Sequence, residues 1–254
     1  MLGANRPYNQ GMPQFSSTQQ RAIDSLARDL DGIFDGRLES FVVYPGHQAD
    51  GSVHSCALVA GLDFRDLTAC LPLTESWHHR GIAVPLMLSS DELRRTVDIF
   101  PLEYASILAD YAVVRGGDPF KGMVINVEDV RRAVEGLAKS HVIHLREAFL
   151  ESHGETTRIA RLIAASAAPL RALLTQIARL PDAPHAAVMD LTTPSDESLA
   201  TLAETRMGVP GSLIRTVLAS SAGGYSTIAD PSHLLGSYIE ASKKIWEYVD
   251  GWRS

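Results

Sequence analysis

His47, His54 and Cys56 fall within one ten-residue stretch, and imidazole and thiol are the side chains best suited to chemistry near neutral pH. Either histidine could hold a phosphate, move a proton or contact a metal. Cys56 lies two positions after His54, so on a strand the two share a face. A Cys–His nucleophile pair needs a third group to orient the imidazole, and none is evident. Cys56 is therefore expected to be a small core residue. The nearest carboxylates are Asp50, Asp63 and Asp66. Asp50 and Asp63 could together hold Mg²⁺, but their ordinary roles are a turn aspartate and a helix N-cap, and neither has a partner at strand spacing.

Farther along, His141 and His144 are three apart, which puts them on one helix face. A metal there would need a third ligand, so the pair reads as solvated or hydrogen-bonded. Asp98 and Glu103 flank Pro101, an arrangement that suits a helix start and its dipole. His78-His79-Arg80 reads as an exposed helix end. Gly116-Gly117 reads as a turn, because no P-loop lysine follows.

Hydrophobic periodicity sets the elements that must position these groups. Ser17 and Gln20 have capping-box spacing ahead of a stripe of Ile23, Leu26, Ala27, Leu30 and Ile33, and Asp35-Gly36 closes that helix. Strands are predicted over 39–44 and 53–60, joined by a turn holding Pro45, Gly46, Asp50 and Gly51. A helix capped by Asp63 runs to Trp77. A strand runs from Ile82 to Leu88, and a second capping box pairs Ser89 with Glu92. Pro101 starts a helix, and Tyr111 to Val114 is a short strand ending at Gly116.

From Asn126 the pattern is helical only. One helix reaches His153-Gly154. A second, capped by Thr156 or Thr157, runs to Leu180 with Pro169 as a kink or break. Residues 181–195 read as a loop. Helices follow near 196–206 and 210–220, then a loop from Ser221 to Asp230, and a last helix from Pro231 to Trp252 ends in Trp246, Tyr248 and Trp252. The aromatic end suits packing on the bundle, with an interface as the alternative. The expected class is α+β: a small mixed sheet with flanking helices over residues 16–122, then an α-helical bundle over 123–254, after a disordered start at 1–15.

Composition narrows the function classes. The 254 residues are 45% hydrophobic, enough for a sizeable core. A formal charge of −7 without a Lys/Arg run argues against a broad nucleic-acid or anionic-membrane surface. Two cysteines make no disulfide framework and suit a reducing cytoplasm. No apolar stretch is long enough to span a bilayer.

Residues 80–120 carry R-G-I-A-V-P-L-M-L-S-S-D-E-L, then D-I-F-P-L-E-Y, then G-G-D-P-F. Together with 39–61 they resemble a group of bacterial nucleotidyltransferase-domain proteins that have a strand-helix unit, a D-x-F-P-L-E-F segment, a G-x-D-P-F turn and a long helical tail. The similarity covers roughly residues 20–180. In that family the first strand ends in Gly-Ser, whose backbone N–H groups contact nucleotide phosphates. The next strand carries Asp-x-Asp, which holds Mg²⁺ against a triphosphate. By the resemblance Gly46 and His47 stand at the Gly-Ser turn, and Ser52 and His54 join them as candidate nucleotide contacts. The second strand, Val53 to Val59, contains no carboxylate.

Three functions follow. Joint loss of the phosphate turn and the metal pair points to a catalytically degenerate nucleotidyltransferase-fold protein that binds a nucleotide or a protein, with no cofactor. The second is an active Mg²⁺-dependent nucleotidyltransferase with a displaced metal site at Asp50 and Asp63. The third is an antitoxin-like half of a two-protein regulatory pair, its partner or a second copy held by the helical half. Arg146 and His153 also have the spacing found in HEPN ribonucleases, a very short motif.

Overall fold

The computed structural model describes residues 15–45, 52–180, 194–223 and 228–252. Residues 1–14 of the expected disordered start at 1–15, 46–51 of the predicted turn, 181–193 of the 181–195 loop and 224–227 of the 221–230 loop lie outside these residues. Phe15 packs partly buried against the core, and 221–223 end a helix where the loop was expected to begin. The chain divides into two compact units, Met1–Ile125 and Asn126–Ser254.

The N-terminal unit is a mixed four-stranded sheet with helices on both faces. Its elements are α1 (Ser17–Phe34), β1 (Leu38–Pro45), β2 (Val53–Val59), α2 (Phe64–Cys70), a 3₁₀ turn (Leu71–Leu73), α3 (Thr74–His79), β3 (Leu86–Leu88), α4 (Ser90–Thr96), α5 (Pro101–Ala109) and β4 (Ala112–Gly116). The strand order is β3-β2-β1-β4. β1 pairs antiparallel with β2 and β4, and β2 pairs parallel with β3 after the crossover through α2 and α3.

Strand alternation builds two cores. Phe41, Val43, Val53, Ala57 and Val59 point to one face, where Ile23, Leu26, Leu30 and Phe34 of α1 and the fully buried Trp77 meet them. Val42, Cys56 and Leu58 point to the other, under Leu93 of α4, Tyr104, Ile107 and Leu108 of α5, and Phe120. A strand buried on both faces carries apolar residues at nearly every position, as β2 does.

Local chemistry moved several boundaries. The capping box of α1 is Ser16 with Gln19, one residue earlier than the predicted Ser17 and Gln20. The predicted single helix from Asp63 to Trp77 is broken by the Leu71–Leu73 turn, whose Pro72 lacks the N–H that a continuous helix needs. The predicted strand from Ile82 shortens to three residues, joined only by an isolated Ile82–Val53 bridge. Pro85 interrupts the ladder in between. The capping box of Ser89 and Glu92 and the Pro101 helix start both form as predicted.

The C-terminal unit is entirely helical among its described residues: α6 (Val127–Glu151), α7 (Thr156–Arg179), α8 (Asp196–Met207), α9 (Gly211–Gly223) and α10 (Pro231–Gly251). One expectation fails here and another is narrowed. The N-cap of α7 is Glu155, without a side-chain cap bond, in place of Thr156 or Thr157. Pro169 does not break α7, because the apolar residues on both sides of it, Ile163, Ala167, Leu170 and Leu174, bury one continuous face. Arg131 bonds Glu128 and Glu135 on α6 and reaches the Val249 carbonyl of α10. Lys139 lies 3.4 Å over the Trp246 ring, so part of the aromatic end of α10 is spent on packing within the bundle.

Candidate functional site at the end of the first strand pair

β1 and β2 meet residues 46–51 at one end of the sheet. The register places Tyr44 directly opposite His54 and Val42 opposite Cys56, all on the α4/α5 face. Tyr44 and His54 are both half-buried, and their rings tilt against each other with centroids 5.8 Å apart. Ser52 completes the group: its Oγ lies 3.2 Å from Nε2 of His54. Burial, with a smaller contribution from Cys56, pushes the Tyr44 hydroxyl up to about 12. Burial alone pushes the Cys56 thiol up to about 12. Both therefore keep their protons at neutral pH. A thiol in that state is neither nucleophile nor metal ligand. Cys56 is a core residue, as its pattern predicts.

The face opposite holds one polar anomaly. Ser55 is buried, and its hydroxyl has no hydrogen-bond partner. It points among the apolar side chains beneath α1, away from the Tyr44–His54 group.

Of the predicted nucleotide contacts, the structure brings Ser52 and His54 together. Gly46 and His47 lie outside the described residues, as does Asp50. Asp63 is the N-cap of α2: its carboxylate accepts from the N–H groups of Arg65 and Asp66, and its own N–H donates to Asp66. Asp66 is buried and takes a bidentate hydrogen bond from Arg37. That hydrogen bond is the main reason its carboxyl titrates below the usual range.

The magnesium that a nucleotidyltransferase needs finds no fitting donor set on β2. That strand supplies an imidazole, two small side chains that are buried, and hydrocarbon. Hard cations call for carboxylate oxygens. Among the described residues no group of three or more His, Cys, Asp or Glu side chains is placed to hold a metal.

The remaining candidates separate. His141 turns into the bundle, with Nε2 2.7 Å from the Tyr238 hydroxyl, while His144 pairs with Glu147 at the surface. The two share no ligand position. Burial, helped by His144, lowers the His141 imidazole to about 4. Arg146 is exposed on α6, and His153 sits beyond its end in a left-handed conformation, φ 54°. Asp118 accepts from Tyr111 and from the N–H of Phe120, so the G-G-D-P-F segment is held by its own turn. Glu103 lies in the first turn of α5.

Two participants escaped sequence reasoning, Tyr44 beside His54 and Tyr238 against His141. The first follows from hairpin register, and the second from helix packing across a separation of 97 residues. Alternation along β1 was the one available signal for Tyr44. Comparisons with protein-family models, with curated proteins and with solved structures return no match for this chain. No helix among the described residues is long and apolar enough to cross a membrane.

Proposed function

We propose that this chain is a catalytically degenerate relative of the nucleotidyltransferase-fold proteins, and that it acts by binding a nucleotide at the end of β1 and β2. The observation that carries the proposal is the state of β2. The position next to the half-open His54 on the same face holds a thiol, sealed among Val42, Leu58, Leu93 and Tyr104. A paired-carboxylate metal site needs two hard ligands side by side on that strand. An imidazole and a protonated thiol cannot neutralise a triphosphate as a metal does, but an imidazole with neighbouring hydroxyls can still hydrogen-bond one.

Calorimetric titration with ATP, with and without Mg²⁺, tests the reading, paired with an assay for nucleotide transfer. The expected result is binding that does not require Mg²⁺, and no transfer. Mg²⁺-dependent binding with turnover refutes degeneracy and directs mutation to Asp50 and Asp63. No binding at millimolar nucleotide refutes the site and moves the search for a partner to the helical unit.

A further inference from the structure

We infer that the outward face of α2 is the contact through which two copies of this chain associate, the two helices packing antiparallel about a two-fold axis. α2 covers the α1 side of the sheet, opposite the Tyr44–His54 group, so this surface owes nothing to the nucleotide reading.

The solvent side of this helix is apolar and its sheet side carries the carboxylate. Phe64, Leu67 and Leu71 recur at helical spacing and are 81%, 44% and 67% exposed. Thr68 lies among them, and its hydroxyl is spent on the Phe64 carbonyl. Asp66 is turned inward, where it is buried and takes the Arg37 guanidinium. Single apolar residues on a surface need no explanation, but a stripe of three on one helix marks a contact.

The charges along the run point to a second copy as the partner. Arg65 and Glu75 are exposed, and neither side chain makes an ion pair with another described residue. Asp63 and Asp66, the other charges of the run, are spent on the α2 cap and on Arg37. α2, the 3₁₀ turn and α3 follow one another without a non-helical residue, so Arg65 and Glu75 stand toward opposite ends of one run. A surface with a cation at one end, an anion at the other and hydrocarbon between is complementary to itself turned end for end. Antiparallel packing sets Arg65 of each copy toward Glu75 of the other, whereas parallel packing would set like charges side by side. Three apolar side chains fall short of the roughly 800 Å² per partner that a standard stable interface buries. The dimer is therefore weak, with a Kd on the order of 10–100 µM.

The test is sedimentation velocity on the full chain from about 5 to about 500 µM, a range that brackets the expected Kd. Circular dichroism establishes that each variant is folded, and all the substituted positions are exposed. If the inference holds, the parent sediments as a monomer at the low end and largely as a dimer at the high end. Phe64→Glu, which places a carboxylate in the first turn of α2 where the helix dipole favours it, raises Kd at least tenfold. Arg65→Glu and Glu75→Arg each raise it about threefold to tenfold, and the double variant Arg65→Glu/Glu75→Arg returns it to within about threefold of the parent. A parent that stays monomeric throughout overturns the inference. So does a dimer that folded Phe64→Glu leaves intact, because the contact then lies elsewhere. Single charge reversals without effect, or a double variant that fails to restore association, overturn the antiparallel two-fold pairing. A monomeric chain that binds a different protein through Phe64 overturns it as well and gives the face to that partner. No outcome here bears on the ATP titration, so the nucleotide proposal stands or falls separately.

Discussion

Replacing Gly116 with alanine should cost far more than the same change a few residues away, for a reason that can be worked from the backbone. Gly116 ends β4 with φ 71°, and a Cβ built on it would lie 2.0 Å from the Glu39 carbonyl oxygen and 2.9 Å from its carbon. Those are backbone atoms of β1, so no rotamer can relieve the contact. Gly122 has nearly the same conformation, φ 77°, yet its Cβ would meet nothing within 4 Å. Gly117 has neither a positive φ nor a neighbour within 4 Å. The left-handed backbone alone costs an alanine about 1 kcal/mol. At Gly116 the strands must also part by roughly an ångström, which sacrifices one or two ladder hydrogen bonds at about 1 kcal/mol each and loosens the packing around Phe41.

The expected losses are therefore about 3 kcal/mol for Gly116→Ala, about 1 kcal/mol for Gly122→Ala and close to zero for Gly117→Ala. With a urea m-value of about 2 kcal/mol/M, the first midpoint moves by about 1.5 M and the second by about 0.5 M. Trp77 is buried in the N-terminal unit, and the other two of the three tryptophans, Trp246 and Trp252, lie in the C-terminal one. A Trp246→Phe/Trp252→Phe background thus gives a fluorescence signal from the relevant unit alone. Equal shifts for Gly116→Ala and Gly122→Ala would refute the β1–β4 close approach.

In the helical unit, burial lowers His141 to about 4 while its unfolded pKa is about 6.5. The unfolded chain then binds more protons between those values, so stability is full above pH 6.5 and falls as pH drops toward 4, by up to about 3 kcal/mol. Chemical denaturation across that range should show the slope, and His141→Gln should flatten it. Cys56 and Cys70 are both buried, and burial raises both thiols. A thiol reagent at pH 8 should label the native chain at least a hundredfold more slowly than the urea-unfolded chain, and fast labelling of Cys56 would contradict the packed α4/α5 face. Pro169 is exposed within α7 and lacks an N–H for the carbonyl four residues earlier. Pro169→Ala should raise the thermal midpoint by an amount equivalent to about 2 kcal/mol, and a fall would mean that the bundle packs around the proline ring.

Much of the architecture was legible in residue order, because the relevant forces are local. The α1 stripe, the alternation of Phe41, Val42 and Val43 between two faces, the Ser89–Glu92 capping box, Pro101 and the purely helical pattern after Asn126 each specify an element without help from distant residues. Errors came where a neighbour was misweighed. Ser16 and Ser17 both offer a cap, and the geometry settled on the first. Pro72 ended a helix whose periodicity continued, whereas Pro169 did not, because α7 buries a long apolar face on either side of it and α2 is only seven residues long.

The absence of carboxylates on β2 is a property of the sequence, and so is the argument against metal chemistry on that strand. What only tertiary structure decided is which side chains face one another. Tyr44 meets His54 because strand register sets the pair, and register depends on the whole sheet. Asp66 finds Arg37 across 29 residues, His141 finds Tyr238 across 97, and Gly116 must be glycine because β1 passes under it. Such contacts depend on distances in space between residues far apart in the chain, and local pattern holds no record of those distances.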